Sequence, residues 1–180
     1  ITTLIMTEQL DMYTEVKLYS LLHEKLTPQE QVDTLGYLIP VYPRCFTCLY
    51  LHFPSVSRST FRRLKNQIAA ETNLPFLTYR NGGFLIVDLD VYKKMELALQ
   101  RIQKVCTSYK TPFFIGISSP TKGVSQFPSA FQESLDASLV GEVTETSITF
   151  YEKIPLYHLL LQLKSRQALE EFCNRILGPL

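Results

Sequence analysis

Two short apolar runs stand side by side near the middle of the chain, and the residues between them constrain the fold more than any other stretch. The runs are LPFLTY and FLIVDL, separated by RNGG. Asn-Gly between apolar strands is the strongest short-range hairpin signal, because a type I′ turn needs positive φ at both central residues. The sequence therefore predicts a hairpin with its turn at Asn81 and Gly82. Gly83 allows one more unusual backbone angle or a close approach by another group.

Helical and strand patterns alternate around this hairpin. Apolar residues at helical spacing over 58–72 precede it, and a longer helical pattern follows, capped by Asp90 and running to Tyr109. Three further strands are predicted at RCFTCLYLHF, PFFIGIS and SITFYE. A further helix is predicted over 128–140, and it should stop at Gly141. A hairpin combined with helical connections predicts an α+β fold, a ferredoxin-like mixed sheet flanked by helices.

Two helices are expected before this domain. Residues 5–26 carry apolar side chains at approximately helical spacing. A second, short helix should begin at Pro28, with Thr27 as its N-cap and Glu30 closing a capping box. The prolines of IPVYP then break the pattern, and we place a boundary there.

The chain is therefore divided into three parts. Residues 1–40 form an N-terminal helical linker or dimerisation segment, 41–153 the α+β domain, and 154–180 two C-terminal helices. The first of these helices is apolar nearly all round, so it must be covered by its own domain, a second subunit or a further module. Because the sequence begins with Ile1 and ends on ILGPL, we expect it to be part of a longer protein.

The charge of the chain is nearly balanced, with 18 basic and 17 acidic residues. The net charge therefore creates no overall electrostatic attraction to nucleic acid or to a membrane surface. No apolar run is long enough to span a membrane. We therefore expect an intracellular, cytoplasmic protein. A local excess of positive charge does occur in the acid-free stretch 34–70, and its members are Arg44, Arg58, Arg62, Arg63 and Lys65. These side chains form either an anion or partner contact or, as we favour, a solvated helix face.

The pattern of cysteines and histidines gives little indication of a metal site or a catalytic site. Cys45 and Cys48 make a C-x-x-C within a predicted strand, where positions i and i+3 point to opposite faces. No second pair completes a zinc site, so core cysteines are favoured. His23, His52 and His158 lie on three different elements, and no nucleophile elbow is present. We expect no metal, no cofactor and no catalytic residues.

The order of elements around the R-x-G-G hairpin is similar to the GGDEF fold of diguanylate cyclases. The stretches FIGISSPTKGVSQFPSAFQESLDAS, ITFYEKIPLYHLLLQL and LEEFCNRILGPL resemble, more narrowly, the GGDEF-like regulatory domain of PucR/CdaR-type bacterial transcriptional regulators. That resemblance covers roughly residues 10–180. It implies a non-catalytic regulatory and dimerisation domain, a homodimer that relays a signal from a sensory region to a C-terminal helix-turn-helix absent from this sequence. DNA would be bound only through that absent module.

The acids that a cyclase would need are missing. Metal-assisted condensation of a nucleoside triphosphate needs carboxylates to hold magnesium, yet Phe84 and Leu85 follow the glycines. No Asp or Glu occurs from Thr34 to Ala70, a stretch that includes the first strand and nearly all of the first helix. Asp88 and Asp90 could share one face of an extended chain, but a strand end followed by a helix cap is the preferred interpretation. Retained cyclase activity is thus disfavoured, whereas an effector-sensing role with unknown ligand-binding residues stays open.

Overall fold

The computed structural model describes residues 2–24, 26–39, 43–91 and 93–154, with side chains described from Met12 onward. These residues form an α+β fold, which confirms the predicted class. The helices are α1 (Thr2–His23), α2 (Pro28–Leu38), α3 (Arg58–Thr72), α4 (Lys94–Ser108) and α5 (Phe127–Val143). The strands are β1 (Cys45–His52), β2 (Leu77–Tyr79), β3 (Gly82–Asp88), β4 (Phe114–Ile117), β5 (Thr121–Lys122) and β6 (Ile148–Phe150). The two predicted C-terminal helices lie outside the described residues.

One mixed sheet organises the described residues, with strand order β2-β3-β1-β4-β6 and the short β5 paired to β1. All its pairings are antiparallel except that of β4 with β6. The units β1-α3-β2 and β3-α4-β4 interlock, so that β3 lies between β1 and β2, and β1 lies between β3 and β4. This is the split β-α-β arrangement of a ferredoxin-like sheet. The helix α5 then connects β4 to the parallel strand β6.

Strand β1 is buried on both faces because helices cover the sheet on both sides. Phe46, Cys48 and Tyr50 belong to a core shared with α1, α2 and α5. Leu49 and Leu51 point the other way, into a core shared with α3 and α4. A strand covered on both faces reads as a continuous apolar run, as this segment does.

The two N-terminal helices pack onto the sheet. Leu18 and Leu21 of α1 and Leu35 of α2 are buried in the same cluster as residues of β1 and β3. The predicted cap of α2 is confirmed: the Thr27 hydroxyl accepts the Glu30 backbone N–H, and the Glu30 carboxylate accepts the Thr27 backbone N–H. The helical pair predicted over 1–40 therefore forms part of one hydrophobic core with the sheet.

Two predicted helix boundaries are wrong. Helix α4 begins at Lys94, after Lys93 in the left-handed region with φ of 57°. Asp90 does not cap it; its backbone N–H donates instead to the Asp88 carboxylate at 3.0 Å. Helix α5 passes through Gly141 to Val143. A side chain at 141 would lie 2.7 Å from the Thr146 carbonyl oxygen. That glycine allows close packing and does not end the helix.

Candidate functional site

The hairpin is present, but its turn lies one residue earlier than predicted. Tyr79 pairs with Gly82, so the two loop residues are Arg80 and Asn81. Arg80 has a positive φ of 51°, whereas Asn81, Gly82 and Gly83 all lie outside the left-handed region. The assignment of the turn to Asn81 and Gly82 is therefore wrong, since cross-strand pairing and not local preference sets the register.

The two glycines are needed for close packing within the sheet. A Cβ atom on Gly82 would lie 3.0 Å from the Leu51 carbonyl carbon and closer still to its oxygen. A Cβ atom on Gly83 would overlap the Phe76 ring and lie 2.8 Å from the Leu77 carbonyl oxygen. The close approach expected for Gly83 is thus confirmed, and it applies to both positions.

Phe84 and Leu85, which stand where a cyclase would carry acids, are fully buried on opposite faces of the sheet. Asp88 ends strand β3 and is half-buried, whereas Asp90 is exposed. The hydrogen bond from the Asp90 backbone N–H to the Asp88 carboxylate orders the end of the strand. The hairpin therefore contributes apolar side chains to the two cores, and its polar groups are concentrated at the turn.

At this turn, side chains of α1 bind the hairpin directly, and we call this contact the α1–hairpin junction. Its members are Glu15, Tyr19 and His23 of α1 together with Tyr79 and Arg80 of the hairpin. The Arg80 backbone N–H donates to Glu15 Oε1 at 3.0 Å, and His23 Nε2 lies 3.1 Å from the Tyr79 hydroxyl. The Arg80 guanidinium carbon lies 5.1 Å from the centre of the Tyr79 ring, and the Tyr19 and His23 rings are 4.5 Å apart. Because Glu15, Tyr19 and His23 recur every four residues, they share one side of the helix.

Burial keeps the tyrosine hydroxyls of the junction neutral. It raises the pKa of Tyr79, against a smaller opposing effect of the Arg80 charge. It also raises the pKa of Tyr50, whose hydroxyl donates to the Tyr79 carbonyl oxygen at 3.1 Å. These phenols therefore remain protonated at physiological pH. The junction consists of hydrogen bonds and ring contacts that position α1 on the hairpin.

Strand β1 makes a second polar contact at the same end of the sheet. His52 Nε2 lies 3.2 Å from the Glu142 carboxylate near the C-terminal end of α5. Its ring is stacked on Tyr50 with centroids 6.4 Å apart. His52 and His23 are thus tied to different partners, and the structure gives them no common site. His158 lies outside the described residues.

The described cysteines occupy the core or its edge. Cys48 and Cys106 are buried and Cys45 is half-buried, and all three are free thiols. Burial raises the pKa of Cys48 well above its usual value and that of Cys106 to about 12, so neither is a reactive thiolate. In the ranges that the structure describes, no three His, Cys, Asp or Glu residues gather as a metal site would require. Cys173 lies outside those ranges.

The five positive charges of the acid-free stretch do not share one surface. Lys65 is only 8% exposed and Arg62 is half-buried, whereas Arg58 and Arg63 are exposed. The same helix uses Leu64 and Ile68 for the core. Arg58 and Arg63 are solvated, as the solvated-face interpretation predicts, whereas buried Lys65 departs from it.

A pocket of about 200 Å³ opens at the far end of β3. It is lined by Ile39, Pro43, Leu74, Pro75, Ile86, Asp88 and Lys94. Ligand pockets for drug-sized molecules usually enclose roughly 300 to 1,000 Å³. This pocket would fit a smaller ligand.

Sequence reasoning missed the residues of the junction. Glu15 and Arg80 are 65 positions apart, so no local pattern could pair them. The four-residue spacing of Glu15, Tyr19 and His23 was the available signal, because residues at this spacing lie on the same side of a helix.

Comparison with known proteins adds no identification. No family model, curated protein or solved structure matches this chain. Within the described residues, no helix combines the length and apolarity needed to cross a bilayer.

Proposed function

We propose that this chain is a non-catalytic regulatory and dimerisation domain of a PucR/CdaR-type bacterial transcriptional regulator, and that it relays a signal to a downstream DNA-binding module. One observation carries the proposal: the hairpin turn is bonded to helix α1, the element that in such a regulator would connect the sensory region to the domain. A change in that helix would act directly on the centre of the sheet, since β3 pairs with β1.

The chemistry of the hairpin supports a role without catalysis. Phe84 and Leu85 are needed by the two cores, and β1 and α3 provide no carboxylate until Glu71 in the last turn of α3. Magnesium bound to a triphosphate would find no carboxylate from these elements beside the turn, and the Glu15 carboxylate of α1 already accepts the Arg80 N–H there. The proposed domain would therefore keep the sheet of a nucleotide enzyme and use the hairpin as a docking point.

The free energy that the junction contributes is of the size expected for a conformational switch. Typical intramolecular hydrogen bonds contribute about 0.5 to 1.5 kcal/mol each, so the contacts of Glu15 and His23 together contribute roughly 1 to 3 kcal/mol. Allosteric coupling energies lie in the same range, about 1 to 3 kcal/mol. A signal of ordinary size could thus release the helix without unfolding the domain.

The proposal is tested by fusing a monomeric helix-turn-helix module after Leu180 and measuring binding to DNA with one or two half-sites. We expect Tyr79→Phe, which breaks the bond to His23, to change the preference for the two-site DNA. Tyr109→Phe is the matched control, because it removes a hydroxyl bond to Gln67 at 3.0 Å, far from the junction. Equal effects of both substitutions would refute the relay, and turnover of GTP with magnesium by the unfused chain would refute the non-catalytic role.

A second candidate function is the sensing of a small effector, favoured by the pocket beside Asp88 and Lys94. A ligand that binds only the folded state raises the melting temperature in a concentration-dependent way. Screening small polar metabolites by thermal shift, with Lys94→Met as the control, tests this role; shifts that persist in the variant would exclude this pocket. In either role we propose a cytoplasmic location, where such a regulator meets DNA.

A further inference from the structure

Helix α1 carries a second, mostly apolar stripe on a side other than the one formed by its core-facing leucines, and the C-terminal end of this stripe reaches the hairpin. Met12, Val16 and Tyr19 are 65%, 60% and 55% exposed, and His23 at the end of the helix is also exposed. Large side chains of this kind, placed in a row on the surface, usually mark an interaction site.

The spacing of the stripe is that of a coiled-coil seam. Its residues follow one another at intervals of four, three and four, which is the d-a-d-a order of a heptad repeat. In the sequence, the same register continues back to Gln9, Ile5 and Thr2, within the bounds of α1. A β-branched residue at an a position, as Val16 would be, favours two-stranded assemblies.

The stripe and the buried face of α1 point in different directions. At 3.6 residues per turn, the stripe lies about 140° around the helix from the mean direction of Leu18, Leu21 and Leu22, which face the core. Two copies related by a two-fold axis along paired helices would therefore hold their sheets on opposite sides. The core-facing leucines of each helix would then point away from the seam.

The surface available sets the expected strength of the contact. At ~200 Å² per tyrosine, the exposed fraction of Tyr19 (55%) offers roughly 110 Å² per copy. Met12 and Val16 add roughly 120 Å², taking ~100 Å² of apolar surface for each side chain. Two copies would bury about 460 Å² through these residues, whereas a specific and stable interface needs roughly 1,000 Å². We therefore expect a weak, transient dimer.

We propose that α1 pairs in parallel with α1 of a second copy of this chain, with Met12, Val16, Tyr19 and His23 in the seam. The pairing deepens the proposed function and rests on it for its biological meaning, because it identifies the surface of the dimer. His23 would occupy the last seam position while it contacts Tyr79. The dimer seam and the α1–hairpin junction therefore share Tyr19 and His23, and pairing would stabilise the docked helix.

The test compares Val16→Lys with Val143→Lys by sedimentation velocity over a range of concentrations. Val143 is a matched control, since it is an apolar residue of α5 that is 74% exposed and lies outside the stripe. The wild-type mass should rise from 20.7 kDa toward twice that value, as should the mass of V143K. V16K should remain a single chain at concentrations where the wild type is half dimeric, with an unchanged circular dichroism spectrum.

Orientation is tested by oxidation of V16C and V143C, with wild type as the background for the native cysteines. In a parallel pair the two 16 positions face each other, so V16C should give covalent dimers well above both controls. A wild-type monomer at all concentrations, or a dimer that V16K leaves intact, would overturn the pairing, and a V16C signal no greater than background would overturn the parallel seam. None of these outcomes bears on GTP turnover, which tests the proposed function separately.

Discussion

Replacing Gly82 with alanine should destabilise the protein strongly, even though a single methyl group is added at the start of a strand. The new Cβ atom would lie 3.0 Å from the Leu51 carbonyl carbon and closer still to its oxygen, whereas ordinary contacts begin at 3.4 Å. Leu51 is fully buried in the central strand, so the backbone of β1 or β3 has to move. Overpacking of this kind costs about 1 to 3 kcal/mol, and each weakened ladder bond adds about 1 kcal/mol.

We therefore expect G82A to lose about 3 kcal/mol of unfolding free energy, or roughly 6 to 12 °C in Tm for a chain of this size. The comparison is N81A, because Asn81 is exposed in the turn and has no positive φ. Urea unfolding followed by circular dichroism measures both variants. If the glycines served the turn, N81A and G82A would lose similar amounts, and a G82A loss below about 1 kcal/mol would refute the packing explanation.

Three further predictions concern the junction, a helix cap and a buried thiol. Tyr79→Phe should lower the protection of α1 amides in hydrogen exchange by about 1 kcal/mol, because the bond to His23 is lost, with protection of the α3 amides unchanged. Thr27→Ala should cost about 1 kcal/mol in urea unfolding, since it removes the cap of α2, and an unchanged midpoint would contradict that role. Burial raises the pKa of Cys106 to about 12 from an ordinary value of 9.0, so the unfolding free energy should fall as pH rises from 9 to 12, when the unfolded thiol ionises and the folded one does not. Urea titrations at stepped pH should show a shallower fall in C106A, and an equal slope would contradict the assignment.

Local signals in the sequence predicted the local features of the fold. The capping box at Thr27 and the bounds of the helix over 58–72 are confirmed, because each depends on residues within a few positions. The existence of the hairpin is confirmed for the same reason. Features set by distant contacts were predicted less well: Leu51 fixes the position of Gly82, and Thr146 fixes the role of Gly141.

The candidate site depends almost entirely on distant contacts. Tyr13 and Val16 belong to the helical pattern and could be assigned to the core, yet the structure exposes both. Only one side of α1 meets the sheet, and the sequence does not indicate which of its two apolar sides that is. The pairing of Glu15 with Arg80 likewise depends on how α1 lies across the hairpin.

The central claim is that pairing of α1 and docking of α1 on the hairpin are coupled, and the amide of Arg80 reports on it. This N–H donates to Glu15, so its hydrogen exchange follows the opening of the junction. At concentrations above the Kd of the dimer, we predict that Arg80 exchanges more slowly in the wild type and in V143K than in V16K. Equal exchange rates in all three proteins would contradict the relay through helix α1.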